Sequence, residues 1–229
     1  MPLNPDLPRW PDCNVWVIGA STGIGAATAK ALLAAGARVA LSARQAAALA
    51  DVAGQSPRAL VLPVDYTDSA AVRGAWSRLK AEWGRVDLVL IVAGTHQEMR
   101  GWEIDEAAAL ALLKTNLHGV IGTCSIVVPG LLEQGAGAIA IVASVAGYRG
   151  LPKALIYGAS KAAVINFTES LYLDLHGKGI GVYLVSPGFV KTPLTDRNDF
   201  KMPALISAEE AAADILAGLR RGVFEIHFP

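Results

Sequence analysis

Seven short apolar runs rich in β-branched residues alternate with longer Ala- and Leu-rich stretches, and this alternation narrows the possible folds more than any other feature of the chain. Strands buried on both faces read as continuous apolar runs, and a helix between two such strands returns the chain so that they lie parallel. The runs at 15–18, 38–42, 59–63, 88–93, 138–144, 181–186 and 224–227 predict strands. The stretches at 25–35, 45–54, 69–83, 106–133, 157–176 and 208–221 predict helices. The expected fold is α/β, a doubly wound parallel seven-stranded sheet with helices on both faces. A chain of 229 residues holds one such domain, over 14–229 after a Pro-rich leader at 1–13. No length remains for a separate substrate domain of ordinary size, so all binding sites must share one core.

Two segments interrupt the rhythm. Residues 148–156 and 191–207 are long, irregular and contain Pro152, Pro193 and Pro203. Both follow the C-terminal ends of strands, the edge of an open α/β sheet where ligands collect. They are the expected walls of a substrate pocket, with the substrate loop at about 190–207. Leu151, Ile156, Leu194, Phe200 and Met202 make that pocket largely apolar.

The first strand runs into Gly19-Ala20-Ser21-Thr22-Gly23-Ile24-Gly25, and an Ala-rich helix follows. Gly19 suits the tight turn, Gly23 lets the main chain approach a pyrophosphate, and Gly25 allows the helix to pack closely on the strand. Free N–H groups and the positive helix end then face the phosphates. The spacing GxxxGxG departs from the usual GxGxxG, so its position on the first strand-to-helix junction carries the reading. Past the second predicted strand stands Leu41-Ser42-Ala43-Arg44, with no acid to take a ribose 2′-OH. The Arg44 guanidinium can pair a 2′-phosphate bidentately, so NADP(H) is expected over NAD(H).

Among the five tyrosines, only Tyr157 has a lysine four residues later. Residues i and i+4 share a helix face, which sets Lys161 beside it. A free phenol titrates at about 10, so a tyrosine acts as a general base near neutrality only if its phenolate is stabilised, which an ammonium does. Ser144 lies thirteen residues upstream, at the end of the fifth predicted strand, where its hydroxyl can donate to a substrate oxygen. Asn116, inside the 106–133 helix, can hold a water linking Lys161 to solvent, although on its own a structural role is the simpler expectation.

Taken together, Gly19, Gly23, Gly25, Asn116, Ser144, Tyr157, Lys161 and the pair Pro187-Gly188 resemble the short-chain dehydrogenase/reductase family, in its short single-domain branch, over residues 15–192. The resemblance implies a Rossmann-type domain, NAD(P) at the glycine loop and an Asn116-Ser144-Tyr157-Lys161 catalytic set. It implies hydride exchange with a carbonyl or secondary alcohol, Tyr157 serving as general acid/base. By the same likeness the cofactor lies against Gly19, Ser21, Thr22, Gly23, Ile24, Gly25, Arg44, Asp65, Ala93, Gly94, Pro187, Gly188, Val190 and Thr192. Tyr157 and Lys161 reach its nicotinamide end, with Lys161 on the ribose, Asp65 near the adenine and Thr192 near the carboxamide. A homodimer or homotetramer built on the helices at 106 and 157 is also implied. The chain departs from the family at Val92-Ala93-Gly94, where Asn-Ala-Gly is usual, and a small loss of stability is the expected effect. The ending Phe224 to Pro229 resembles the last strand of members that often continue further, so a tail beyond it is an expectation.

Several other classes are disfavoured. Lys+Arg and Asp+Glu both number 20, so no basic stripe invites nucleic acid. The start lacks the basic and apolar regions of a signal peptide, and runs such as 86–94 and 138–147 fall short of the roughly 20 residues that span a bilayer. A cytoplasmic location without a membrane partner is expected. Cys13 and Cys124 form no CxxC pair and read as reduced structural thiols, and no histidine has metal spacing. His118, His176 and His227 read as structural or solvent-facing. His96 follows Gly94 on a loop that can reach the pocket mouth, though a structural role is the first expectation for it too. A non-catalytic NAD(P) sensor or scaffold is the rival reading, and the intact Ser-Tyr-Lys set weighs against it. A methyltransferase would want an acid after the second strand, and a sugar epimerase would need a larger C-terminal region.

Overall fold

A computed structural model describes residues 2–196 and 201–229 of the chain. Its strands are β1 (Asn14–Ile18), β2 (Arg38–Ser42), β3 (Ala59–Val61), β4 (Leu88–Ile91), β5 (Gly137–Val142), β6 (Ile180–Pro187) and β7 (Glu225–Phe228). All neighbours pair in parallel, in the order β3-β2-β1-β4-β5-β6-β7. The helices are α1 (Gly23–Ala34), α2 (Ala46–Ala53), α3 (Ser69–Trp83), α4 (Glu106–Leu113), α5 (Gly119–Gln134), α6 (Leu155–Leu175) and α7 (Ala208–Arg221). The doubly wound seven-stranded sheet read from the alternation is therefore the fold observed.

Side chains of one strand divide between two cores. Trp16, Ile18, Ile139 and Ile141 pack with residues of α3, α5 and α6 on one face. Val15, Val17, Ala138 and Ala140 pack with Ala29, Leu49 and Ile215 of α1, α2 and α7 on the other. That double burial is why the strands carry no polar/apolar alternation.

The boundaries differ from the expected ones in ways that have local causes. β3 stops before Pro63, which has no N–H for the ladder. β4 ends at Ile91 because the next two amides, Val92 and Ala93, converge on one carbonyl, Ile18. β5 ends at Val142, so Ser144 does not close the strand but caps a short 3₁₀ turn, Val145–Gly147. The expected helix over 106–133 is present but interrupted by a π turn at Lys114–His118, which separates α4 from α5. This run, Glu106–Gln134, is long and apolar enough to cross a membrane by composition, but Val120, Val127 and Leu131 lie in the core.

The Pro-rich start follows the surface of the domain. Asn4 exchanges two hydrogen bonds with the Val182 backbone, each 2.8 Å, and Arg220 of α7 stacks on Trp10 at 3.9 Å. Cys13 and Cys124 are buried and unbridged, and burial pushes both thiols up to about 12. Among the described residues no cluster of His, Cys, Asp or Glu could hold a metal ion.

Candidate active site

The sheet reverses its winding between β1 and β4, so a crevice opens past their C-terminal ends. The chain leaves β1 through Gly19 at φ +94°, and a Cβ there would stand 2.5 Å from the Ala93 amide nitrogen. At Gly25 a Cβ would meet the Gly19 carbonyl oxygen at 2.0 Å. Glycine is the residue that allows both approaches. Thr22, at the N-terminus of α1, makes no side-chain cap, so the first-turn N–H groups stay available to an anion. Thr192 closes on this turn, its Cγ2 lying 3.0 Å from where a Cβ on Gly23 would be. The cradle has the backbone chemistry that a pyrophosphate requires, and so fits a dinucleotide cofactor.

Arg44 is exposed just past β2, and its charge reaches Asp65 past β3. Asp65 is held below the usual carboxylate range, mainly by hydrogen bonds from the Thr67 amide and hydroxyl, with Arg44 and Lys114 adding to the effect. Ser21 and Ile24 line the glycine turn and are half-buried, while Val190 is buried and bridges Ile206 beyond the loop. Pro187 ends β6, and the Gly188 amide donates to the Phe228 carbonyl at 2.7 Å. Of the expected pocket residues, Phe200 lies outside the described residues; Leu151 is exposed, and Ile156, Leu194 and Met202 are half-buried.

Four elements bring the second half of the site together. Gly147 lets the turn after Ser144 lie on α6, since a Cβ there would stand 2.7 Å from the Lys161 carbonyl carbon. Ser144 is thereby set against Tyr157. Burial pushes the Tyr157 phenol above its ordinary value, and the Ser144 hydroxyl, as hydrogen-bond partner, pulls the other way. Lys161 points down toward the sheet, donating from Nζ to the Val142 carbonyl at 2.9 Å, and lies 5.9 Å from the centre of the Tyr157 ring. Its burial lowers the ammonium from 10.5 to about 8. The i, i+4 spacing makes the two side chains neighbours, but the hydrogen bond from the lysine goes to the strand.

Asn116 sits in the π turn, where one extra residue per turn lets a side chain leave the helical stripe. Its Oδ1 accepts from the Thr95 amide at 2.8 Å, and its Nδ2 donates to the Thr95 carbonyl at 2.9 Å and to Ser160 Oγ at 3.1 Å. The amide thus clamps the loop after β4 and ties it to α6, where Ser160 passes the chain on to the Tyr157 carbonyl. Tyr66 holds the π turn from the other side, donating to the Thr115 carbonyl and lying 3.2 Å from that of Ala93. A Cβ on Gly94 would be 3.5 Å from both Asn116 Oδ1 and Lys161 Nζ, so the space beside Gly94 borders both.

The clamped loop carries His96 to Tyr157, ring centres 4.7 Å apart and planes at 83°. The sequence placed His96 on a loop that can reach the pocket mouth but not against Tyr157, and Tyr66, Ser160 and Gly147 were not singled out. Their roles rest on contacts across tens of residues, for which no local period exists.

A doubly wound sheet whose switch point holds a glycine turn, with a serine, a tyrosine and a lysine gathered beside it, defines a dinucleotide-binding α/β protein. The chain belongs to the short chain dehydrogenase family, whose model matches residues 14–202. It is 38% identical over 187 residues to an uncharacterised oxidoreductase of Myxococcus xanthus, covering 81% of this chain and 74% of that one. It is 36% identical over 177 residues to the 2-dehydro-3-deoxy-L-rhamnonate dehydrogenase (NAD(+)) of a Sphingomonas strain, covering 72% and 71%. Among solved structures it resembles a short chain dehydrogenase from Burkholderia cenocepacia in complex with NADP. There the TM-score is 0.85 and the identity 30%, with 100% of this chain and 90% of that one covered. The chain is accordingly an NAD(P)-dependent oxidoreductase of this family, acting on a small molecule.

Proposed function

We propose that the protein is an NADP(H)-preferring reductase of carbonyl compounds, with Tyr157 as the proton donor to the carbonyl oxygen. The observation that carries this reading is the convergence of Ser144, Tyr157 and Lys161 at the C-terminal edge of the sheet, beside the glycine turn. A bound nicotinamide supplies the hydride chemistry. The chain's own groups handle the oxygen and its proton. Burial keeps Tyr157 a neutral phenol at physiological pH, the form that donates to a carbonyl oxygen. The Ser144 hydroxyl polarises the carbonyl by donating to its oxygen. Lys161 lowers the cost of the phenolate left behind and orients the ribose, and the space between Lys161 Nζ and Asn116 Oδ1 suits a water relay that restores the proton.

The preference for NADP(H) draws support from the exposed guanidinium of Arg44, with no acid between Leu41 and Arg44 to repel a 2′-phosphate. The relative from Sphingomonas is named for NAD(+), so fluorescence titration with both cofactors is the needed check. The substrate is taken to be largely apolar, from the half-buried Ile156, Leu194 and Met202. A homodimer or homotetramer, and a cytoplasmic location, complete the reading.

The deciding experiment is Tyr157→Phe. The variant should bind NADPH as tightly as the parent and lose at least a thousandfold in turnover across a panel of ketones, aldehydes and quinones. Retained turnover removes Tyr157 from the chemistry, and NADH binding at least as tightly as NADPH removes the cofactor preference. A parent that binds cofactor but reduces nothing in the panel favours the sensor.

A further inference from the structure

We propose that His96 is a specificity-determining residue that binds a second oxygen of the substrate, on the carbon next to the carbonyl that is reduced. The preferred substrates are therefore α-oxygenated ketones or aldehydes rather than plain ones. This rests on Tyr157 facing the substrate carbonyl, and it adds a recognition group that the reaction itself does not need.

Three observations support it. The imidazole stands edge to face with the Tyr157 ring, 4.7 Å between centres, so a group bonded to the carbon beside the carbonyl falls within its reach. Among the described residues neither ring nitrogen of the half-buried imidazole has a hydrogen-bond partner, so both are open to a ligand. The loop is also fixed at both ends before any ligand arrives. Asn116 clamps Thr95 by two hydrogen bonds on one side. On the other, the Met99 amide donates to the Lys153 carbonyl at 2.9 Å, and Lys153 pairs with Glu98 at 3.2 Å. A polar group held in this way costs little ordering on binding, which is how a site obtains selectivity.

The chemistry of the ring narrows the ligand. Burial lowers the His96 pKa, only partly offset by Glu98, so the imidazole is neutral near pH 7. A neutral imidazole offers one donor and one acceptor and matches a hydroxyl, which is both. The partner is therefore a hydroxyl or a second carbonyl oxygen, and α-hydroxy ketones are the class it fits best.

The test compares 1-hydroxybutan-2-one with butan-2-one as substrates, with NADPH, for the parent, His96→Leu and His96→Gln. The parent should favour the hydroxy ketone in kcat/KM. His96→Leu should lower that ratio roughly 10- to 100-fold, mainly through KM, because the substrate hydroxyl is left unpaired. His96→Gln, which can still donate and accept, should recover part of it. A ratio that stays the same, or both substrates falling equally, overturns the assignment. A second arm titrates 1-hydroxybutan-2-one by calorimetry into the NADPH complex of Tyr157→Phe, which keeps the ring His96 leans on, with and without His96→Leu. Weaker binding on adding His96→Leu, with no turnover by the parent, upholds His96 and sinks the carbonyl-reductase reading. Turnover by the parent with no change in the ratio or in binding does the reverse.

Discussion

Lys161 is 4% exposed and its Nζ donates to the Val142 carbonyl, so its ammonium is held with little compensation. Its pKa of about 8 in the fold, against 10.5 unfolded, means the folded chain binds fewer protons between those values. Stability tied to this group is therefore lowest below about pH 8 and rises as the pH climbs toward 10.5. At about 1.4 kcal/mol per pH unit, the burden at pH 7 is on the order of 3 kcal/mol, and losing the bond to Val142 would offset about 1 of it. Lys161→Met should then be more stable than the parent at pH 7 by about 2 kcal/mol in urea unfolding, with most of that gap gone by pH 10, while turnover collapses. A variant less stable than the parent at pH 7 would contradict this account. At this scale the sequence was informative wherever the signal was local. The four-residue step from Tyr157 to Lys161 is a property of any helix, whereas the contact of His96 with Tyr157 spans 61 residues and leaves no pattern to read.

Helices α3 and α5 meet through glycines of α5. A Cβ on Gly130 would lie 2.6 Å from Trp76 Cζ2 and one on Gly122 would lie 3.1 Å from Ser69 Oγ, while one on Gly119 would lie 2.5 Å from Cε2 of Tyr66, which precedes α3. Gly130→Ala should therefore lower stability by about 1–3 kcal/mol through overpacking. Gly74 in α3 has nothing within 4 Å of its missing Cβ, so Gly74→Ala should raise stability by about 0.5–1 kcal/mol. Thermal unfolding of the two variants against the parent checks both signs, and shifts in the same direction would discredit this packing account. Helix and strand identities were legible from apolar period and run length. Their ends were less so, because Ser144 capping its turn, or Val92 and Ala93 sharing the Ile18 carbonyl, depends on groups brought in by other elements. The π turn was hidden for the same reason: an Ala- and Leu-rich run gives no sign of an extra residue that Tyr66 and Thr95 hold in place.

For the whole molecule, alternation of strand and helix was enough to indicate a parallel sheet covered on both faces, while the order of its strands came only from the structure. Leu110, Leu113, Leu117 and Ile121, with Lys114 and His118 among them, line a largely apolar groove along α4, the π turn and α5, with Leu110 58% and Ile121 43% exposed. A face of this kind on a chain of zero formal net charge supports self-association. Sedimentation should show the parent as a dimer or tetramer and the double variant Leu110→Glu with Ile121→Glu as a monomer; a monomeric parent would remove the proposal. The turn at Lys114–His118 has one more consequence, which concerns phase. In a continuous α-helix each residue advances by about 100°, so one extra residue rotates everything after it by that angle. The core residues Ala109 and Leu112 of α4 and the core stripe of Val120, Val127 and Leu131 on α5 are thus set on separate clocks. Deleting Lys114, Thr115, Leu117 or His118 singly would heal the helix and keep nearly every other side chain. It would also put the halves out of step, so that either the clamp on Thr95 or the core stripe would face the wrong way.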